Sequence, residues 1–417
     1  MTTTSGMPLK RTFKGEDMDK YFITLALLCS ATPALADAIK IKPIIDARLR
    51  YESVDQKPFA QDASAITARV RAGFEAKAGA FTLLAEAEGI LTLDESYNSG
   101  VNGKTSFPVV ADPQMIGLNR LQLQYRGLPK TVVTVGRQRI NLDDQRFIGS
   151  VGFRQNEQTF DAARFEWAGV KNVKVDLTYA WKVRTIWGID GTPARPESVS
   201  GDNIFGNASL TTKLGTISGF GYVIDQDQTP LFANSSITYG GRFTGAHAFT
   251  KTTKLSFALS AARQNDYGRN PNRFTADYYA GDLTLGVKAL TIGAGFEILG
   301  SDKGVALTSF QTPLATLHKF NGWADKFLVT PPNGLSDSYG SLGYGFKKVG
   351  PLDTLGFTAV YHRYGSDRLG LYYGDEINFQ AMAKVKRYTL LLKYADYQAS
   401  GFATDTKKLW ASVEWAI

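Results

Sequence analysis

Charged side chains are concentrated between two β-rich runs in residues 132–167, VVTVGRQRINLDDQRFIGSVGFRQNEQTFDAARFEW. Guanidinium groups stay charged and donate in a planar fork, so they suit carboxylate ligands. The stretch has no nucleophile beside a base, no set of metal ligands and no cofactor loop. Its charges could lie on an outer surface, in an active site or inside a pore. The charged residues of its middle part are Arg137, Arg139, Asp143, Asp144, Arg146, Arg154 and Glu157.

Catalytic chemistry finds little support elsewhere in the chain. The three histidines are His247, His318 and His362, and none has the neighbouring serine and carboxylate or carboxamide of a triad. There is no GxSxG, HExxH or phosphate-loop motif. Cys29 is the single cysteine, so neither a disulfide nor a thiolate metal site is expected. We therefore predict no enzyme activity, no cofactor and no bound metal.

The N-terminal region predicts export. Met18-Asp19-Lys20 precedes an apolar run over 21–28, and Ala34-Leu35-Ala36 offers a cleavage site after Ala36. This run is too short for a membrane anchor, which needs about 20 residues. We expect an N-terminal extension plus signal peptide over 1–36, with translation starting at Met1 or Met18, and one domain over 37–417. With a net charge of +8, an exported protein is expected to meet acidic solutes, polymers or lipid headgroups rather than nucleic acid.

Beyond residue 36 the chain alternates between apolar and polar residues with period two, as over 66–78 and 173–184. We count about eighteen such runs. Short turns, such as 79–80, follow every second run, and longer loops, such as 141–158, follow the others. This predicts an all-β transmembrane antiparallel β-barrel with short periplasmic turns and long extracellular loops. A β-sandwich or propeller would also alternate but would lack this two-sided asymmetry of loop length.

The polar phase of the strands should face the barrel lumen, because successive side chains point to opposite faces. This phase predicts a water-filled lumen in which arginines favour anions, or a wall whose charges are merely solvated or form Arg–Glu ladders. In 173–184 the apolar phase, which includes Val183, should face outward. The predicted lining contains Arg48, Arg50, Arg69, Arg71, Arg120, Arg164, Lys174 and Arg184.

The alternation does not fix the position of two arginines and two loops. Arg137 and Arg139 share a face with Val133 and Val135, so they either lie above the membrane band or follow a bulge. The loop 141–158 should fold into the lumen or across its mouth. The long segment 301–336 is too apolar for a solvated loop, so it should pack, for example on the barrel mouth. One option for part of it is a short helix over 313–326.

Two segments carry a family resemblance. GRQRINLDDQRFIGSVGFRQNEQTFDA (136–162) and SFQTPLATLHKFNGWADKFLVTPPNGLSDSYG (309–340) resemble the alginate-export family of outer-membrane porins. The resemblance implies a monomeric eighteen-stranded barrel in the outer membrane with an arginine-lined constriction that passes an acidic polysaccharide. By motif match, the implied site residues are Arg137, Arg139, Asp143, Asp144, Arg146, Arg154 and Asp161.

The function predicted is passive diffusion of anionic solutes, including acidic oligo- or polysaccharides of the alginate type. Glu86, Glu88 and Glu166 add acid to the predicted lumen, which favours the alternative of a small-nutrient porin without polyanion preference. A structural or enzymatic barrel is a further alternative. Expected partners are outer-membrane lipid, lipopolysaccharide, the barrel-assembly machinery and the anionic or saccharide solutes.

Overall fold

A computed structural model describes residues 39–417, which form one closed sheet of 18 strands. The predicted signal peptide and its cleavage site lie outside these residues. In chain order the strands are β1 (Lys40–Gln56), β2 (Ala63–Ala78), β3 (Phe81–Ser96), β4 (Met115–Tyr125), β5 (Thr131–Gln138), β6 (Thr159–Trp167), β7 (Val173–Arg184), β8 (Ser198–Thr211), β9 (Thr216–Ile224), β10 (Ser236–Ala248), β11 (Thr253–Asp266), β12 (Thr275–Val287), β13 (Leu290–Leu299), β14 (Leu335–Val349), β15 (Leu352–Gly365), β16 (Tyr372–Val385), β17 (Tyr388–Ala399) and β18 (Thr406–Ala416).

Each strand pairs antiparallel with its neighbours in the chain, and β1 also pairs with β18. The closing ladder runs from Asp46 opposite Ala416 to Gln56 opposite Thr406. Closure removes the edge strands that an open sheet would expose. The predicted all-β antiparallel barrel of about eighteen strands is confirmed.

The two faces of the wall differ as the alternation predicts. Outward side chains such as Leu49, Val70 and Phe357 are apolar and 50%, 51% and 47% exposed. Their inward neighbours Arg50 and Arg69 are buried. An apolar outer face over polar inward residues is the arrangement of a barrel that stands in a bilayer.

The connections at the two ends of the barrel differ in length. At one end the turns are tight, and Gly79 and Lys288 adopt left-handed φ values of 55° and 54° there. At the other end lie the long loops, of which two matter most here. They are the β5–β6 loop (139–158) and the β13–β14 loop (300–334). Both fold into the barrel, and they position the candidate site.

Part of the lumen is filled by an apolar core, which differs from the expected water-filled interior. Phe160, Phe205 and Tyr278 project inward from the wall and are fully or almost fully buried. Phe310 from the β13–β14 loop packs against them, with its ring centroid 5.3 Å from that of Tyr278. At these inward positions the strands carry apolar rather than charged side chains, so the side chains offer the loop a dry surface.

The β13–β14 loop packs inside the barrel rather than on its mouth. Its apolar residues Leu314 and Phe327 are buried. The helix considered over 313–326 is not formed, and within that range the structure has only a 3-10 turn, Leu317–Lys319. In residues 39–417 no helix is long and apolar enough to cross a membrane.

The strand phase changes within β7. Trp181 is 38% exposed and faces outward, whereas Val183 is 1% exposed and faces inward. The prediction that Val183 faces outward is therefore wrong. The register against β8 shifts between Ala180 and Lys182, and one additional residue in a strand reverses the faces of all residues beyond it.

Candidate pore constriction

The β5–β6 and β13–β14 loops meet inside the barrel along a seam of hydrogen bonds. The Gly149 N–H donates to the Leu314 carbonyl at 2.9 Å, and the Thr316 N–H donates to the Gln145 carbonyl at 3.0 Å. The Gln158 side chain also donates to Leu314 O at 3.0 Å. The two loops therefore form one joint structure across the lumen.

Arginines of the barrel wall hold the β5–β6 loop by its backbone. Arg48 donates to the carbonyls of residues 152, 153 and 154 at 3.4, 3.2 and 3.3 Å. Arg50 also donates to the carbonyl of residue 153. Arg71 donates to the carbonyl of Gln155 at 3.2 Å. These carbonyls have left the sheet ladder, and a buried carbonyl needs a donor. The guanidinium groups supply it and fix the loop against β1 and β2.

The same part of the wall pairs its arginines with carboxylates. Most of the paired residues belong to strands β1–β4 and β18, and Glu157 of the β5–β6 loop supplies a further carboxylate. Most of these side chains are buried. The pairs are Arg48–Glu414 (2.7 Å), Arg50–Asp112 (3.2 Å), Arg69–Asp46, Arg71–Glu88, Arg71–Glu157 (3.4 Å), Arg120–Glu86 (2.7 Å) and Arg139–Glu157 (2.6 Å). This is the Arg–Glu ladder that the sequence left open as an alternative to a freely charged lining.

Two arginines of the β5–β6 loop form buried ion pairs with the barrel wall, and one of them also pairs with the β13–β14 loop. Arg146 Nε lies 2.6 Å from Glu297 on β13, and Arg154 lies 3.0 Å from Glu52 and 2.9 Å from Asp325. Burial alone would lower the pKa of both guanidinium groups, but the facing carboxylates raise each pKa above its ordinary value. Removing one partner would leave an uncompensated buried charge.

Asp143 and Asp144 attach the loop to the opposite wall. Asp143 accepts from Asn207 on β8 at 2.7 Å, and burial raises the pKa of this aspartate. Asp144 pairs with Arg242 on β10 at 2.7 Å, and its carbonyl accepts from Lys319 at 2.7 Å. The loop is thus anchored on both sides of the barrel.

Arg137 and Arg139 have different surroundings. Pairing between β4 and β5 ends at Leu121 opposite Arg137. Arg137 binds Asp161 at 2.7 Å and donates to the free carbonyl of Leu118 on β4 at 2.9 Å. Its guanidinium therefore satisfies the strand edge that β5 leaves unpaired. Arg139 instead extends to Glu157 inside the barrel.

The remaining predicted site residues lie away from the seam. Arg164 pairs with Asp176 on the neighbouring strand β7, with Nε–Oδ1 at 3.0 Å. Arg184 pairs with Glu197 at 2.8 Å beside the outer end of β7. Lys174 is exposed near the short-turn end of that strand, and within the described residues no carboxylate lies at ion-pair distance from it.

A buried network under the seam was not identified from the sequence. His318 Nδ1 lies 2.7 Å from Asp325 Oδ1, and its Nε2 lies 2.7 Å from the ammonium of Lys393. The ring stacks on Phe153 with 3.8 Å between centroids. Burial lowers the pKa of His318 to about 3, so the ring is neutral and accepts from the lysine. Burial opposes ionisation of Asp325, yet its bond to His318 and the charge of Lys408 hold its pKa well below the ordinary value.

The β5–β6 loop divides the open part of the lumen into two chambers. The outer chamber, on the long-loop side, has a volume of about 540 Å³, and the inner chamber about 390 Å³. Residues of one short segment, 150–158, line both, so this partition is one residue thick in places. Val151, Arg154 and Gln158 line the outer chamber, whereas Ser150, Gly152 and Glu157 line the inner one.

The two chambers differ in charge. The outer chamber is lined by the cations Arg154, Arg195, Lys326 and Lys408 and by the single carboxylate Asp325. Glu52, which pairs with Arg154 from behind the lining, adds a second carboxylate. Two cations then remain in excess. The surplus makes this chamber attractive to anions.

The inner chamber is electrically balanced. Each guanidinium that lines it has a carboxylate near it, so neither sign of charge is in excess. Its charged lining consists of Arg48, Arg71, Arg120, Arg139, Asp46, Glu86, Glu157 and Glu414. Within residues 39–417 no group of three or more acidic, histidine or cysteine side chains is placed to hold a metal ion.

Residues 45–291, more than half of the chain, match the family model described as "Alginate export". The chain belongs to the alginate export family. No curated protein sequence matches it significantly. The solved structures similar to this family member include OccAB4 and OccAB1 of Acinetobacter baumannii and the outer membrane protein OpdK of Pseudomonas aeruginosa.

These three structures share the fold at low sequence identity. OccAB4 is 14% identical with a TM-score of 0.67, and the match covers 91% of this chain and 98% of that one. OccAB1 is 14% identical with a TM-score of 0.67, covering 93% and 99%. OpdK is 12% identical with a TM-score of 0.64, covering 90% and 98%. The barrel is thus the fold of outer-membrane porins over almost its whole length.

Proposed function

We propose that this alginate export family member is a passive diffusion channel of the outer membrane that prefers small anionic solutes. The observation that carries the proposal is the cation excess of the outer chamber. Export through the signal peptide, insertion by the barrel-assembly machinery, contact with lipid and lipopolysaccharide, and a monomeric state belong to the same proposal.

The two chambers would act in series on a permeating ion. A cationic antechamber raises the local concentration of anions before they reach the constriction. The balanced inner chamber adds no comparable preference for either sign. Moderate attraction without tight retention suits a conducting pore.

The size of the solute follows from the partition. The family description names alginate export, and an acidic oligosaccharide carries the charge that the outer chamber attracts. A polymer, however, would require the segment 150–158 to move aside along with its arginine anchors. Small anions need only a narrow path beside it. We therefore place small anions ahead of polysaccharides.

The test is the reversal potential of the purified protein in a planar bilayer under a KCl gradient. We expect a potential of the sign that chloride preference produces. Lys326→Glu, which reverses one charge of the outer chamber, should shift the potential towards that of a cation-preferring pore. The matched control is Lys251→Glu, because Lys251 is exposed in a tight turn outside both chambers. A cation-preferring wild-type channel would refute the proposal.

A general diffusion channel without charge preference is the second candidate. The balanced inner chamber favours it, since this chamber has as many carboxylates as arginines among its lining residues. In that case the wild-type reversal potential should lie near zero, and Lys326→Glu and Lys251→Glu should behave alike.

A further inference from the structure

Two large apolar side chains are exposed inside the outer chamber. Leu328 and Val329 line it and are 43% and 59% exposed, although they belong to a loop that folds into the barrel. Ile186 and Trp187 from the β7–β8 loop contribute further apolar surface to the same lining. These side chains do not belong to the outward apolar band of the strands. Apolar area in contact with water is unfavourable, so an apolar group that covered it would bind favourably.

Lys326 is one cation of the chamber that can pair with a ligand. Arg195 also has no carboxylate at ion-pair distance within residues 39–417, but it donates to the Gly100 carbonyl at 2.9 Å. Lys408 and Arg154 both bind Asp325, at 2.8 and 2.9 Å. For Lys326, in contrast, no carboxylate lies at ion-pair distance within residues 39–417. Burial, together with the nearby charge of Lys408, lowers the pKa of Lys326 to about 8. An anion beside Lys326 would compensate for both effects.

The positions of the two features are linked by the chain itself. Lys326 lies only two residues before Leu328 and three before Val329 in the same loop. All of them line the same cavity of about 540 Å³, which is within the range of roughly 300–1,000 Å³ typical of small-molecule sites. A ligand that served both features would carry its charge at one end and an apolar body at the other.

We propose that the outer chamber binds a small organic anion whose carboxylate pairs with Lys326 and whose apolar body covers Leu328 and Val329. This inference rests on the proposed channel function and names the class of solute. A uronic acid unit has the charge but presents hydroxyl groups on its faces, so it cannot cover the two apolar side chains without leaving polar groups unpaired. Carboxylates with an aromatic or aliphatic body are therefore preferred over uronates.

Single-channel recording tests the inference with three probes added on the long-loop side, namely benzoate, glucuronate and benzyl alcohol. Benzoate should reduce the chloride current in a saturable way. Glucuronate lacks the apolar body and benzyl alcohol lacks the charge, so each should need a concentration at least about tenfold higher, which corresponds to about 1.4 kcal/mol. Equal block by glucuronate and benzoate would overturn the preference for an apolar body.

Two variants locate the site within the chamber. Lys326→Gln should raise the half-blocking concentration of benzoate about tenfold, and Val329→Thr, which keeps the shape of the side chain, should weaken block by benzoate but not by glucuronate. Lys251→Gln serves as the control, and benzoate should block it at the same concentration as the wild type. The heat-dependent mobility shift of the folded barrel verifies that each variant has folded.

The outcomes separate this inference from the channel function. If the wild-type channel prefers anions but none of the three probes blocks it, the binding site is refuted and the channel function stands. Benzoate block that is unchanged in both Lys326→Gln and Val329→Thr also refutes the site. If the wild type forms no anion-preferring channel, the proposed function itself fails.

Discussion

The Thr316 hydroxyl joins the two loops that narrow the lumen. It accepts from the backbone N–H of Val151 at 3.1 Å and donates to the Gln145 side-chain oxygen at 2.7 Å. Val151 adopts a left-handed φ of 53°, which is unfavourable for a β-branched residue. A single hydroxyl therefore helps to hold a strained residue of the partition in place.

Thr316→Val should loosen this seam. The substitution retains the shape of the side chain but leaves the partly buried Val151 N–H without its acceptor, which costs less than the roughly 1–3 kcal/mol of a fully buried donor. We expect a higher single-channel conductance or more frequent transitions to a larger open level. Thr308→Val is the control, because the Thr308 hydroxyl bonds to Val305 of its own loop at 2.8 Å. Identical recordings for Thr316→Val and the wild type would show that the hydroxyl does not limit the pore.

Gly149 allows the close approach at the seam. A methyl group at this position would collide with the Thr316 hydroxyl and would lie 2.7 Å from Cβ of Gln145. Gly149→Ala should therefore separate the loops and raise the conductance, with a loss of stability of about 1–3 kcal/mol from overpacking. Gly152→Ala is a closely matched control, because a methyl group there meets nothing within 4 Å. Equal conductance of the two variants would contradict a steric seam at Gly149.

Strand number and most of the phase could be predicted because inward and outward positions differ in chemistry along strands such as β1 and β2. The inward orientation of Val183 could not be predicted, because no residue near it in the sequence marks the bulge in β7. The seam could not be predicted either, because its contacts join distant segments. Gln158 and Leu314 are 156 residues apart, and Gln145 and Thr316 are 171 apart. The apolar composition of 301–336 did indicate that the segment packs, but not that it packs inside the barrel.

The wall arginines could be placed in the lumen by phase, but their partners could not be identified. Arg50 is the clearest case, because it bonds to the β5–β6 loop and to Asp112, which lies in the loop between β3 and β4. Neither contact is visible in the alternation of β1. A residue predicted from its phase to attract a solute therefore also holds a loop.

Arg50→Met should destabilise the barrel and free the β5–β6 loop. Asp112 is fully buried and would lose its charge partner, a change that costs about 3–5 kcal/mol. We expect a lower urea midpoint of unfolding in detergent and faster tryptic cleavage within the loop. Adding Asp112→Asn should restore part of the stability, because it removes the uncompensated charge. Arg263→Met is the control, since the Arg263 side chain is 51% exposed beside Asp277. If Arg50→Met unfolds at the wild-type midpoint, the buried pair does not support the loop.

Acid should weaken the docking of the β13–β14 loop through His318. The pKa of this histidine is about 3 in the folded chain and about 6.5 in an unfolded one. Between these values the unfolded state binds more protons, so stability is fully present above about pH 6.5 and falls as the pH is lowered towards 3. The loss amounts to roughly 1.4 kcal/mol per pH unit at most.

The His318→Gln variant isolates this effect. Glutamine can still donate to Asp325 and accept from Lys393, but it does not titrate. The wild type should therefore lose about 2 kcal/mol relative to the variant between pH 6.5 and pH 5, as measured by urea unfolding at each pH. Carboxylates elsewhere in the barrel titrate alike in both proteins and cancel in the difference. A difference in stability that stays constant over this pH interval would mean that His318 does not carry the acid sensitivity of the loop.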